Sequence, residues 1–273
     1  MTHTVQSPFT QPPPDQSPAL EVRELRLSFR ERRNTLPVLD GVSLSVAKGE
    51  FVSIIGPSGC GKSTLFHVIG GLLKPDAGSV IAGGAEVTGQ RGLISYVPQK
   101  PALFPWRTTL DNVLLAREIS GGAGKEALAE AKEWLVKAGL GGFEKAYPHM
   151  LSGGMQQRAA FLRGLLAPQE VMCLDEPFSS LDELTRTEMQ HWLLDLWEAR
   201  RRSVILITHS IEEALMMSDT IYLLSNRPTR VIHRIEVPFP RPRREELTED
   251  SAFLSLKKEI GMQMREEQRK RPN

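Results

Sequence analysis

Nine residues, GPSGCGKST from Gly56 to Thr64, carry the most specific chemistry in this 273-residue sequence. They fit the spacing G-x-x-x-x-G-K-[ST], with the apolar run EFVSII before them reading as a buried strand and a helix following to about Leu72. Gly56, Gly59 and Gly61 lack Cβ atoms, so the loop can wrap closely and aim backbone N–H groups at phosphate oxygens. Pro57, Ser58 and Cys60 complete the wrap, and Thr64 closes the motif. Lys62 supplies a point charge to terminal phosphates. The Ser63 hydroxyl suits Mg²⁺, which takes oxygen ligands in octahedral geometry.

Such a site needs a second carboxylate to orient the metal. In VMCLDEP, four apolar residues form a buried strand with Asp175 at its end, placed to hold the metal's water shell. Glu176, the next residue, would face an attacking water as general base. His209 ends another apolar strand, SVILITH, and emerges where open α/β sheets bind ligands, in reach of a γ-phosphate. A second anion-binding feature lies about ninety positions downstream of the first. LSGGMQQRAAFLRG opens a helix with Ser152, Gly153 and Gly154, whose exposed N–H groups could also hold a phosphate.

The elements that must position these residues alternate in type. LEVRELRLSF, with Leu25, Leu27 and Phe29 alternating with polar residues, reads as a half-buried strand. VLDGVSLSVAKGE reads as a second strand interrupted by turns, GSVIAGGAEV as a hairpin and GLISYVP as a further strand. From Thr108 to about Ala167 the patterns are helical, with Gly139 capping one helix. Strands return after Pro168 as VMCLD, SVILITH and TIYLLS, with helices between them. This order predicts an α/β fold: a mostly parallel core with an antiparallel piece at the N-terminus and a helical insertion. VPFPRPRREE then reads as a solvated turn with basic residues. The last twenty residues form an amphipathic helix carrying Phe253, Leu254, Leu256 and Ile260, expected to pack on the core.

Bulk properties narrow the function classes. Thirty-four Lys and Arg against 33 Asp and Glu give no electrostatic case for nucleic acid as a partner. Cys60 and Cys173 show no metal spacing, which suits a reduced compartment. No apolar run reaches membrane-spanning length. The Pro-, Gln- and Ser-rich start lacks a signal-peptide pattern and reads as a disordered leader.

GPSGCGKST, YVPQ, LSGGMQQR, CLDEP, SSLD and ITHS stand in the order found in ATP-binding subunits of ABC transporters, and the chain resembles that family from about Leu20 to Arg234. The resemblance implies a P-loop NTPase with a RecA-like, mostly parallel sheet. It divides the chain into a leader (1–19), an ATPase domain (20–235) with a helical subdomain inserted at about 100–165, and a C-terminal extension (236–273). It implies ATP and Mg²⁺ as ligands and a head-to-tail homodimer with two composite sites. In that dimer Ser152, Gly153 and Gly154 would bind the γ-phosphate of the partner's ATP. Gln99 would touch Mg²⁺ and sense a transmembrane partner, Asp182 would lie at the dimer seam, and Phe29 would stack on adenine where tyrosine is usual. Met155 stands where many members have glutamine.

LFPWRTTLDNV, DEPFSSLDELTR and SNRPTRVIHRIEVPFPRPR resemble the ATPases of nitrate, sulfonate, taurine and thiamine-precursor importers. That resemblance implies a subunit peripheral to the cytoplasmic face of the membrane. Its permease subunits would dock a coupling helix near Gln99–Trp106, with Leu103, Phe104, Pro105 and Trp106 as an apolar socket, and a solute-binding protein would act with it indirectly. The alternative readings are a soluble ABC ATPase serving as an interaction module, and a small-molecule kinase, which would leave LSGG and SSLD without roles.

Overall fold

The computed structural model describes residues 17–31, 34–122, 124–179 and 181–270; the leader expected over 1–19 lies outside them as far as residue 16. Strand β1 (Leu20–Glu31) pairs antiparallel with β2 (Asn34–Val46). Turns were expected within β2, but it is one strand of 13 residues. The Asp40-Gly41 step is absorbed as a bulge: Arg26 pairs with Asp40 and Leu25 with Val42, and Gly41 between them sits at φ 74°. Glycine tolerates that left-handed backbone, so the strand bends without breaking.

After β3 (Phe51–Ile55) and helix α1 (Lys62–Ile69) comes the expected hairpin, β4 (Ala77–Ala82) and β5 (Ala85–Glu86). It joins β1 and β2 in a four-stranded antiparallel sheet, order β2-β1-β4-β5. Strand β6 (Ser95–Val97) leads into α2 (Thr109–Ile119), α3 (Lys125–Lys137) and α4 (Gly153–Leu165). Helix α2 begins with a capping box between Thr108 and Asp111. Gly139, at φ 68°, follows the end of α3, where a left-handed residue closes the turn.

Then follow β7 (Val171–Asp175), α5 (Glu183–Arg200), β8 (Ser203–Ile207), α6 (Ile211–Met217), β9 (Thr220–Leu224), β10 (Val231–Glu236) and α7 (Ser251–Arg269). The second sheet runs β10-β9-β3-β8-β7-β6, parallel except for β10 at its edge. Strands β3, β7, β8 and β9 are buried along their whole length, as their near-continuous apolar sequences require.

Alternation along β3 divides the interior. Val52 and Ile54 face a cluster shared with α1 and the antiparallel sheet. Phe51 and Ile55 face one shared with α4, α5, α6 and α7, where Phe51 meets Trp197 edge-on, ring centroids 5.5 Å apart. A third cluster joins α2, α3 and α4 through Val113, Leu135 and Leu162.

Two expectations for the C-terminal stretch change. In α7, Phe253 and Ile260 are buried and Leu256 packs beside them, whereas Leu254 is exposed. Positions 253, 256 and 260 share one helical face and 254 falls off it. The basic turn in VPFPRPRREE is not merely solvated. Arg243 is 6% exposed, and its guanidinium donates to the Leu215 and Ser218 carbonyls at 2.9 and 2.5 Å. It satisfies carbonyls that the end of α6 leaves without partners. Arg241 pairs with Asp219 at 2.9 Å and lies 4.4 Å over the Trp197 ring.

Candidate functional site

The parallel strands all end on one edge, and the chemistry gathers there. The loop from Gly56 to Gly61 leaves β3 and enters α1. A Cβ on Gly56 would meet the Leu224 Cβ at 3.0 Å and the Leu224 carbonyl at 3.1 Å, so a side chain here would crowd β9. Gly61 is more restricted: its φ of 124° disfavours a side chain, and a Cβ would lie 2.9 Å from Val38 Cγ1. Lys62 is buried, and its ammonium donates to the Gly56 and Pro57 carbonyls at 3.0 and 3.2 Å. Its charge therefore sits inside the curl of the loop.

Asp175 ends β7, and one of its oxygens accepts from the Ser63 hydroxyl at 3.4 Å. The other accepts from Tyr96 at 2.8 Å. Burial, then the Asp175 charge and hydrogen bond, push the Tyr96 phenol well above its usual range, so it stays a donor. Tyr96 is a site residue that the sequence reading missed. It is brought beside Asp175 by the parallel register of β6 on β7, in which Tyr96 faces Cys173.

Register also joins Glu176 to His209. Asp175 pairs with Ile207 across β7 and β8, and the Glu176 N–H donates to the Ile207 carbonyl at 2.9 Å. His209 Nδ1 then lies 3.8 Å from a Glu176 carboxylate oxygen. Glu176 holds φ 44°, a left-handed conformation uncommon for a residue with a side chain and enriched at functional sites.

Gln99 follows β6, but its amide does not meet Asp175: it donates to the Ser179 hydroxyl at 2.9 Å, and that hydroxyl donates to the Glu176 carbonyl at 2.8 Å. Phe29, 43% exposed, lies on β1 two residues beyond Leu27. Across β2, Phe29 pairs with Leu36, while Leu27 pairs with Leu39, whose side chain comes within 3.7 Å of a Cβ position on Gly61.

Ser152 caps α4, its hydroxyl accepting from the Met155 N–H at 3.3 Å. Among the described residues nothing lies within 4 Å of a Cβ position on Gly153, and the nearest atom to one on Gly154 is Thr185 Cγ2 at 3.8 Å. Thr185 belongs to the first turn of α5, whose cap is Asp182, accepting from the Thr185 N–H at 3.0 Å. These backbone hydrogen bonds hold the Asp182 carboxyl below its ordinary range. The start of α4 thus lies beside the first turn of α5, which Asp182 caps. On the helical side, Phe104 and Trp106 pair with centroids 5.1 Å apart, and Trp106 is 70% exposed.

Residues 39–179 match the ABC transporter family. Over 252 residues the chain is 43% identical to the formylaminopyrimidine import ATP-binding protein ThiZ of Halalkalibacterium halodurans, covering 90% of this chain and 98% of that one. It is 36% identical over 246 residues to the aliphatic sulfonates import ATP-binding protein SsuB of Bacillus cereus, covering 89% and 95%. Among solved structures, it is similar to the ATP-binding cassette MJ0796 as a dimer in a post-hydrolysis state bound to ADP and Pi. That match has a TM-score of 0.68 and 30% identity, over 81% of this chain and 100% of that one. The glycine loop, the strand-end carboxylates and matches of this extent agree: the chain belongs to the ABC transporter family and carries its ATP-hydrolysing cassette.

Proposed function

We propose that this chain works as one half of a head-to-tail homodimer and drives import of a small solute through permease subunits at the cytoplasmic face of a membrane. The observation that carries this reading is the convergence of Lys62, Ser63, Asp175, Glu176 and His209 on one sheet edge, while the atom nearest a Cβ position on Gly154 belongs to Thr185 of α5. One chain then holds two half-sites that fit each other only across two copies.

The loop amides of Gly56 to Thr64 and the Lys62 ammonium bind the phosphates. Ser63 and Asp175, 3.4 Å apart, offer the oxygen donors that Mg²⁺ prefers, and Tyr96 holds the carboxylate in place. When bound, that cation neutralises phosphate charge. Gln99 would offer its amide oxygen to the cation, its amide nitrogen being held by the Ser179 hydroxyl. Glu176 accepts the proton of the attacking water, and His209 steadies both that carboxylate and the γ-phosphate. Phe29 offers a stacking face to adenine.

Ser152, Gly153 and Gly154 present the positive end of α4 to the partner's γ-phosphate, with no side chain to rearrange. Asp182 lies beside them at the seam. Phe104 and Trp106, exposed next to Gln99, form the socket for a permease coupling helix. The names of the similar proteins point to a solute of the sulfonate or pyrimidine-precursor class. A separate solute-binding protein and the permease select it.

Glu176→Gln tests the reading. Purified variant should bind ATP, lose hydrolysis by at least about a hundredfold and elute as a dimer only with ATP. Wild-type turnover, or a monomer with ATP bound, overturns it.

A further inference from the structure

The loop joining β9 to β10, residues 225–230, closes over the back of the phosphate loop. Thr229 is fully buried, and its hydroxyl donates to the Cys60 carbonyl. Its own main chain is fixed on β2, with its N–H on the Val38 carbonyl at 2.8 Å and its carbonyl accepting from the Asp40 N–H at 2.9 Å. A Cβ on Gly61 would come 3.2 Å from the Thr229 hydroxyl, so that hydroxyl stands directly behind the last glycine of the cradle. Arg227, from the same loop, donates through Nε to the Gly59 carbonyl at 2.5 Å. The far side of the loop is tied down as well, by the Asn226 amide on the Glu267 carbonyl of α7.

In a trans peptide the C=O and N–H point in opposite directions. Holding the Cys60 carbonyl toward Thr229 therefore turns the Gly61 N–H the other way, toward the concave side of the loop. Glycine by itself would not keep that orientation, because without a Cβ its backbone samples many conformations. We infer that Thr229 is a positioning residue for nucleotide binding: its hydroxyl fixes the Cys60–Gly61 peptide with the Gly61 N–H facing the phosphates, while Arg227 restrains the preceding peptide from outside. The inference rests on the reading of Gly56 to Thr64 as the phosphate cradle. It adds a rigid brace supplied by the β9–β10 connection.

Thr229→Val keeps the volume and removes the donor; Thr229→Ser keeps the donor and removes a methyl. Both are compared with wild type as full chains, by titration with a fluorescent ATP analogue, steady-state ATPase kinetics and thermal melting. The Val variant should weaken nucleotide binding and raise KM about tenfold, with kcat within about twofold. The Ser variant should bind within about twofold of wild type even where its Tm falls. That rescue separates aim of the amide from packing. Arg227→Met, at an exposed position, reads the same coupling without disturbing the interior, and should raise KM about threefold. Equal affinity of Thr229→Val and wild type overturns the inference, as does a Ser variant as weak as the Val variant, or an unchanged KM in Arg227→Met. Failure of the wild type to bind the analogue would instead overturn the phosphate cradle itself.

Discussion

Glu213 illustrates how a single buried carboxyl can set the pH response of this protein. It lies in the first turn of α6, nearly enclosed, with one oxygen accepting from the Thr208 hydroxyl at 2.5 Å. Burial pushes its carboxyl up to about 7, against the pull of Thr208 and Arg186 and with a further push from the Glu176 charge. An unfolded chain titrates this group near 4.5, so between that pH and about 7 the folded state holds the extra proton. Stability from this group is therefore full below pH 4.5 and is lost as pH rises through 7. Glu213→Gln should melt higher than wild type at pH 8, by up to about 3 kcal/mol, and equally with it near pH 4.5. Superimposed melting profiles across that range would refute the assignment. At this same scale Asp175, Glu176 and His209 were legible in the sequence, because apolar strands end visibly at them. Tyr96 and Glu213 were not, since a tyrosine in a strand or a glutamate in a helix looks the same whether or not it faces a carboxylate or an apolar interior.

Among the elements, the segment after β10 departs furthest from its sequence pattern. Prolines and arginines in VPFPRPRREE suggest a solvated turn, yet Arg243 closes the end of α6 and Arg241 bridges Asp219 and Trp197. A buried arginine is tolerated because carbonyls around it accept its protons, although burial lowers its pKa to about 10. Arg243→Met should cost about 3 kcal/mol in denaturant unfolding, because the Leu215 and Ser218 carbonyls lose their donor. Arg244→Met, at the exposed neighbouring position, should stay within about 0.5 kcal/mol of wild type. Equal losses in the two would place the effect in net charge rather than in the cap. The long strands and α7 were readable from period alone. The continuity of β2 was not, because a bulge at Gly41 and a turn at Gly41 use the same residue for the same left-handed backbone.

For the whole molecule the decisive question is whether the two proposed phosphate-binding features of one chain serve one ATP or two. Gly153 faces open space, and Gly154 packs near Thr185. Mixing two inactive variants, Lys62→Ala and Gly153→Asp, decides it. Head-to-tail pairing makes one site of each heterodimer intact, its loop from the Gly153→Asp chain and its α4 end from the Lys62→Ala chain. ATPase activity should then rise on mixing to about a quarter of wild type, from the random share of heterodimers with one working site. No recovery would place both features of one chain on the same nucleotide. The MJ0796 cassette, similar over 81% of this chain, is itself solved as a dimer.

The sequence by itself determined the family, the order of the sheet-forming segments as far as β9, and the glycine loop between β3 and α1. Those features are local: a glycine spacing, an apolar strand and a charged terminus lie within a few positions of one another, and backbone sterics and burial act on them directly. Only the tertiary structure decided which distant groups hold these residues in place. The Tyr96–Asp175 bond depends on strand register, and the Thr229 hydroxyl reaches the Cys60 carbonyl across 169 positions of chain. Neither pairing leaves a periodic trace, because a hydrogen-bonding partner is chosen by proximity after folding and not by spacing along the chain.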